Sequence, residues 1–177
     1  MARWLSPRPR ASSLSIAFWD EEERGLIGSR AFAKRARERN ESIVAALSFD
    51  AIGVAHTAPR SQHTPPDFAQ LLPAQARFLA DRDHRADFIA LVANTSARPM
   101  ADRLAAYAGQ LDLPLLRLDV SAFEAALVPA LFRSDHAAFW LSGYPGLLLT
   151  DTAEFRNPAY HCERAPDAPE TLDYAGF

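Results

Sequence analysis

The sequence predicts an α/β domain of three layers, with a mainly parallel central sheet and helices on both faces. Two observations carry this. Short, almost wholly apolar runs such as Phe88-Ile89-Ala90-Leu91-Val92-Ala93 read as strands buried on both faces. Between them lie stretches with apolar residues at helical spacing on a charged background, as in Gly28 to Arg39. Strands that alternate with helices pair in parallel through crossover connections. The 177 residues, 49% apolar and 23% charged, are enough for one core.

Residues 1–13 read as an irregular arm dominated by arginine and proline. The domain occupies 14–177. Leu14 to Trp19 is the first predicted strand, and Gly28 to Arg39 is an amphipathic helix with Ala31, Phe32, Ala33 and Ala36 among arginines. Ile43 to Phe49 is a second strand. A proline- and histidine-containing loop spans Ala55 to Pro66. Asp67 to Leu79 has a helical pattern that Pro73 interrupts. Phe88 to Ala93 is the third strand. Pro99 to Leu111 is a helix with Pro99 early in it and Ser96 as a plausible cap. Leu115 to Leu118 is the fourth strand, Ser134 or Asp135 to Ser142 a short helix, and Gly146 to Leu149 the fifth strand. Thr171 to Phe177 reads as the first turns of a further helix, capped by Asp167 or Thr171.

Composition excludes several classes. Nineteen Lys and Arg against 22 Asp and Glu give a formal charge of −3, which supplies no general field for nucleic acid. One cysteine, Cys162, excludes an internal disulfide framework and a four-cysteine zinc site. The apolar runs fall far short of the ~20 residues of a membrane span. The first residues lack the apolar core of a secretory signal, so the compartment is left open.

The acids fall in a pattern. With all strands running one way, the residues after them gather at one rim: Asp20 to Glu23 after the first, then Asp50, Asn94, Asp119 and Asp151. The loop beyond Asp151 holds His161. Ligands of open α/β sheets bind beyond the carboxyl ends of the strands. Two like charges about 4 Å apart repel by ~1 kcal/mol in water and by ~4 kcal/mol at an effective dielectric near 20, which a cation would relieve. Carboxylates with an imidazole are the donor set of a catalytic zinc site. Taken singly, each residue keeps an ordinary alternative. Acids before a helix stabilise its N-terminus, Asp50 could cap a turn, and a lone His161 could be a surface or core residue.

Four motifs in order point further. Phe18-Trp19-Asp20-Glu21-Glu22-Glu23-Arg24-Gly25-Leu26-Ile27-Gly28-Ser29 resembles the E-E-x-G-L-x-G-S signature of the co-catalytic zinc aminopeptidases, metallopeptidase family twenty-eight, which also has relatives of glutaminyl cyclase. Ser48-Phe49-Asp50-Ala51-Ile52-Gly53 is similar to the family's next motif. Arg133-Ser134-Asp135-His136-Ala137-Ala138-Phe139-Trp140, with Gly143-Tyr144-Pro145, resembles its S-D-H block. Phe155-Arg156-Asn157-Pro158-Ala159-Tyr160-His161 resembles its final R-N-P-x-Y-H motif, and Asp167 to Tyr174 its tail.

The resemblance implies a zinc-exopeptidase-like fold and hydrolysis of the N-terminal peptide bond of a peptide substrate. It implies Glu22 as general base, Glu23 and His161 as ligands of one zinc, Asp50 as ligand of the other, and Asp135 as an acid orienting groups in the pocket. Tyr160 and Trp140 could line a pocket for an apolar side chain, with core packing as the alternative. The family's His-x-Asp motif and bridging Asp have no counterpart here, since His56, His63, His84 and His136 all follow the Glu-Glu turn. The expectation is therefore a C-terminal part of a catalytic domain, incomplete at both ends, with an unprotected sheet edge and weak or no dinuclear zinc binding and activity. Two other readings stand beside it: a single-zinc acyltransferase like glutaminyl cyclase, and a peptidase-like module that binds without catalysis. His136 is divided between a helix-start role and a pocket role. Cys162 is set aside as a ligand, because adjacent side chains point apart. Arg30, Arg35, Arg37 and Arg39 read as a solvated helix face.

Overall fold

Among the described residues, four strands form one sheet in the order β1 (Ala46–Phe49), β4 (Gly146–Thr150), β2 (Ile89–Asn94), β3 (Leu115–Val120). The computed structural model describes residues 12–121, 124–125 and 128–174. β1 runs parallel to β4 and β2 parallel to β3, so two of the three pairings are parallel. The central pairing, β2 with β4, is antiparallel, with Ala90 opposite Thr150 and Ala93 opposite Leu147.

Side-chain pattern explains strand position. In β2, Ile89 to Ala93 are all buried, as a central strand covered on both faces requires. β3 alternates, with Leu116, Leu118 and Val120 buried. Between them Arg117 and Asp119 pair at 2.8 Å, and Arg117 also reaches Asp102 at 2.6 Å, which places charge along that sheet edge.

Helices α1 (Ile27–Glu38), α2 (Phe68–Leu71), α3 (Pro73–Ala80), α4 (Arg98–Gln110) and α5 (His136–Leu141) cover the sheet. Pro73 opens α3 and Pro99 lies in the first turn of α4, where a missing N–H costs nothing. Ala97 and Ala101 pack with Leu91, Ala93 and Leu147 on one face. On the other, Val92, Leu118 and Leu148 meet Phe132 and Trp140, while Ala90 and Leu116 meet Leu79 and Phe78 of α3. Leu91 and Leu147 are fully buried, worth ~1.5–3 kcal/mol each. α1 lies outside α5, with Ala33 and Ala36 against Ala138 and Phe139. None of the described helices is long and apolar enough to cross a membrane.

Four expectations are corrected. Leu14 to Trp19 is not a strand: Leu14, Ile16 and Phe18 are exposed at 50%, 47% and 94%, and the segment pairs with no strand among the described residues. Only Trp19 turns inward, its ring 4.8 Å from that of Phe32 and 6.4 Å from that of Phe139. The acids do not share one rim. Because β2 and β3 run opposite to β1 and β4, Asn94 and Asp119 end at the far edge, where Asn94 Oδ1 accepts the N–H of Gly146 at the start of β4. Ser96 does not cap α4, since its hydroxyl donates to Asn94. The predicted C-terminal helix is a single 3-10 turn over Pro169–Thr171 without a side-chain cap, and residues 175–177 lie outside the described residues, as do 1–11 of the predicted arm.

Candidate active site

The site lies where β1 and β4 end, against the turn that precedes α1. Glu22–Arg24 form one turn of 3-10 helix, bracketed by Glu21 and Gly25 at positive φ. Gly25 takes φ 99°, open to glycine at little cost. Gly28 is required for a different reason: a Cβ there would lie 2.3 Å from the Asp20 carboxylate and 3.0 Å from Asp20 main-chain atoms. Ser29 is buried behind it, its hydroxyl donating to Leu26 O at 3.3 Å. The two glycines thus let the acidic turn fold back tightly onto the start of α1.

Asp50 follows β1 directly, and its N–H continues the ladder to Leu149 O at 3.1 Å. His161 lies in the last loop at φ 54°, with its ring stacked 4.1 Å from that of Tyr160. Its Nε2 is 3.1 Å from Glu23 Oε1. Asp50, Ile52, Tyr160, His161, Asp167 and Leu172 are among the residues that line one cavity of about 310 Å³.

The electrostatics gather the same residues. Glu22 is raised to about 7, first by burial, then by the neighbouring Glu23, Asp50 and Asp135 carboxylates, with His161 opposing. Asp135 is raised mainly by burial; Ser29 opposes and Asp50 adds, and its Oδ1 is buried without a partner among the described residues. Burial and Asp50 push the Tyr160 hydroxyl up. Arg133, paired with Glu154, is the cation beside Tyr160 and Glu23.

Glu23 and His161 are thus in contact, Asp50, Tyr160 and His161 line one cavity, and Glu22 and Asp135 lie within electrostatic reach of Asp50. Trp140 is elsewhere: its indole N–H donates to Gly146 O at 2.8 Å and its ring meets Phe132 and His136 edge-on. His136 is fully buried, with Nε2 bonded to Leu131 O at 2.9 Å, and burial lowers it to about 4, so the ring is neutral. Gln62, buried in the loop after β1, carries no sequence signal of its burial. A carboxylate and an imidazole in contact suit a zinc ion. Among the described residues, however, no group of three or more His, Cys, Asp or Glu could hold a metal.

The model of Peptidase family M28 matches residues 1–176. The chain belongs to that family, whose members are generally zinc-dependent metallopeptidases. Two solved structures of the LapA aminopeptidase of Legionella pneumophila share its fold, each with a TM-score of 0.53, 18% identity and 88% of this chain covered. The chain spans 33% and 34% of the length of those two structures. A comparison with curated protein sequences gives no match.

Proposed function

We propose that the chain carries part of a zinc-dependent, aminopeptidase-type active site, which hydrolyses the N-terminal peptide bond of a peptide substrate. The observation that supports this most is the meeting of Glu23 and His161 at 3.1 Å, with Glu22 beside them. In this reading Glu23 and His161 hold one zinc ion and Asp50 contributes to a second. Bound zinc supplies a Lewis acid that brings the pKa of water to ~7 and polarises a carbonyl. Glu22 would take the proton as general base. Asp135 orients groups in the pocket, and Tyr160 forms part of the cavity wall for the substrate's first side chain.

The donor chemistry fits zinc, but the donor count is short. A catalytic zinc site typically uses three protein ligands, and Glu23 with His161 supplies two. The reading therefore includes weak or no turnover by this chain alone. The experiment is a zinc titration combined with an aminopeptidase assay. Glu22→Gln should retain zinc while any turnover falls by ~10²–10⁴; His161→Ala should lose zinc. Undiminished turnover in Glu22→Gln ends this mechanism. Absence of both zinc binding and cleavage would favour a non-catalytic peptide-binding module.

A further inference from the structure

Two loops carry the candidate donors other than Glu23. One follows β1 and begins with Asp50; the other follows β4 and reaches His161. Both pass through backbone conformations that residues with side chains seldom adopt. φ is 48° at Ala51, 79° at Thr152, 48° at Ala153, 54° at His161 and 58° at Cys162. Such conformations persist only where the surroundings over-determine them.

At Ala51, Thr152 and Ala153 the surroundings are a buried polar cluster that the proposed chemistry does not use. Asp151 is 1% exposed; its Oδ2 accepts the Val54 N–H and its Oδ1 the Ala153 N–H, both at 2.8 Å. Arg156 is 3% exposed. Its Nε donates to Gln62 Oε1 at 3.1 Å, and Nη1 donates to the carbonyls of Val54 at 3.1 Å and Phe88 at 3.0 Å. The guanidinium lies 4.5 Å over the Phe88 ring. Gln62, 6% exposed, donates to Thr152 Oγ1 and His63 O at 2.9 Å. Charged side chains are seldom so buried unless partners satisfy them. Here the partners of Asp151 and Arg156 include the main chain of the opposite loop, and Arg156 Nη2 alone of that guanidinium is buried without a partner among the described residues.

We propose that Arg156, Gln62 and Asp151 form a clamp that joins the two loops and sets the position of Asp50 relative to His161. Arg156 is its central positioning residue. The consequence for metal binding rests on the zinc reading above; the clamp itself does not.

The test uses Arg156→Met in the whole chain, with Gln62→Leu as a milder variant that keeps the two carbonyl bonds of Arg156. The first readout, without metal, is amide exchange at the N–H groups that cross between the loops: Val54 to Asp151, Asp151 to Ala51 O, and His63 to Phe155 O. These should exchange at least about tenfold faster, while β2 and α4 keep wild-type rates. Unchanged rates, or a uniform rise throughout the fold, would overturn the clamp. The second readout is zinc affinity, which should weaken ~10–100-fold in either variant. Wild-type chain that binds no zinc refutes the metal reading and leaves exchange to decide the clamp. Equal zinc affinity in wild type and variants shows that the clamp does not set the donors.

Discussion

Glu23 Oε1 and His161 Nε2 lie 3.1 Å apart, although they come from turns near opposite ends of the described chain. Both side chains are substantially exposed, at 70% and 43%. An exposed pair of this kind adds at most ~1 kcal/mol to stability. His161→Gln should therefore shift the unfolding midpoint little, yet weaken zinc binding by more than about 100-fold, beyond the usual loss from outer-shell changes. Denaturant unfolding alongside a zinc titration separates the two effects. Zinc affinity unchanged by His161→Gln would make the contact an ordinary surface pair.

Gly28→Ala should destabilise the chain by ~1–3 kcal/mol. The added methyl would meet Asp20, whose main chain cannot move without opening the acidic turn. Chemical denaturation measures this. A second change, Asp20→Ala, should recover only part of the loss, because main-chain atoms of Asp20 are also within 3.0 Å.

His136 makes stability depend on acid. The folded ring resists protonation down to about 4, whereas the unfolded ring charges near 6.5. Its neutral burial therefore contributes fully above pH 6.5, and that contribution is lost as pH falls through the window to 4. His136→Phe leaves the Leu131 carbonyl without its partner and costs ~1–3 kcal/mol near neutrality. It removes the titration, so its deficit should shrink by up to about 3 kcal/mol across that window. A deficit that stays constant with pH would show that the ring is not held neutral.

β1 has a strand neighbour on one side only among the described residues, and Val44, Leu47 and Phe49 are exposed there. An uncovered apolar edge invites pairing with another chain. Leu47→Lys should reduce concentration-dependent self-association, read by light scattering, without altering the sheet. Association unaffected by the charge would place the contact elsewhere.

Much of this arrangement was legible in the residues. The buried runs at Ile89 to Asn94 and Gly146 to Thr150 are strands because almost nothing in them can face water. The Glu-Glu turn, Asp50 and His161 were legible as a group because four motifs occur in register. Strand direction was not. Strand direction is set by the antiparallel β2–β4 pairing, which the residues of neither strand announce, so an all-parallel reading puts Asn94 and Asp119 at the wrong rim. Leu14 to Trp19 has the composition of a buried strand, but burial needs a neighbour that a run of apolar residues cannot reveal. Gln62 and Arg156 are buried through partners far along the chain, which spacing does not encode.

The most direct measurement is the imidazole nitrogen resonance of His161 during zinc titration, in the wild-type chain and in Glu23→Gln. The account predicts that Nε2 shifts on zinc addition in the wild type, and that Glu23→Gln needs far more zinc for the same shift. An Nε2 resonance unmoved by zinc, or moved equally in both proteins, would contradict it.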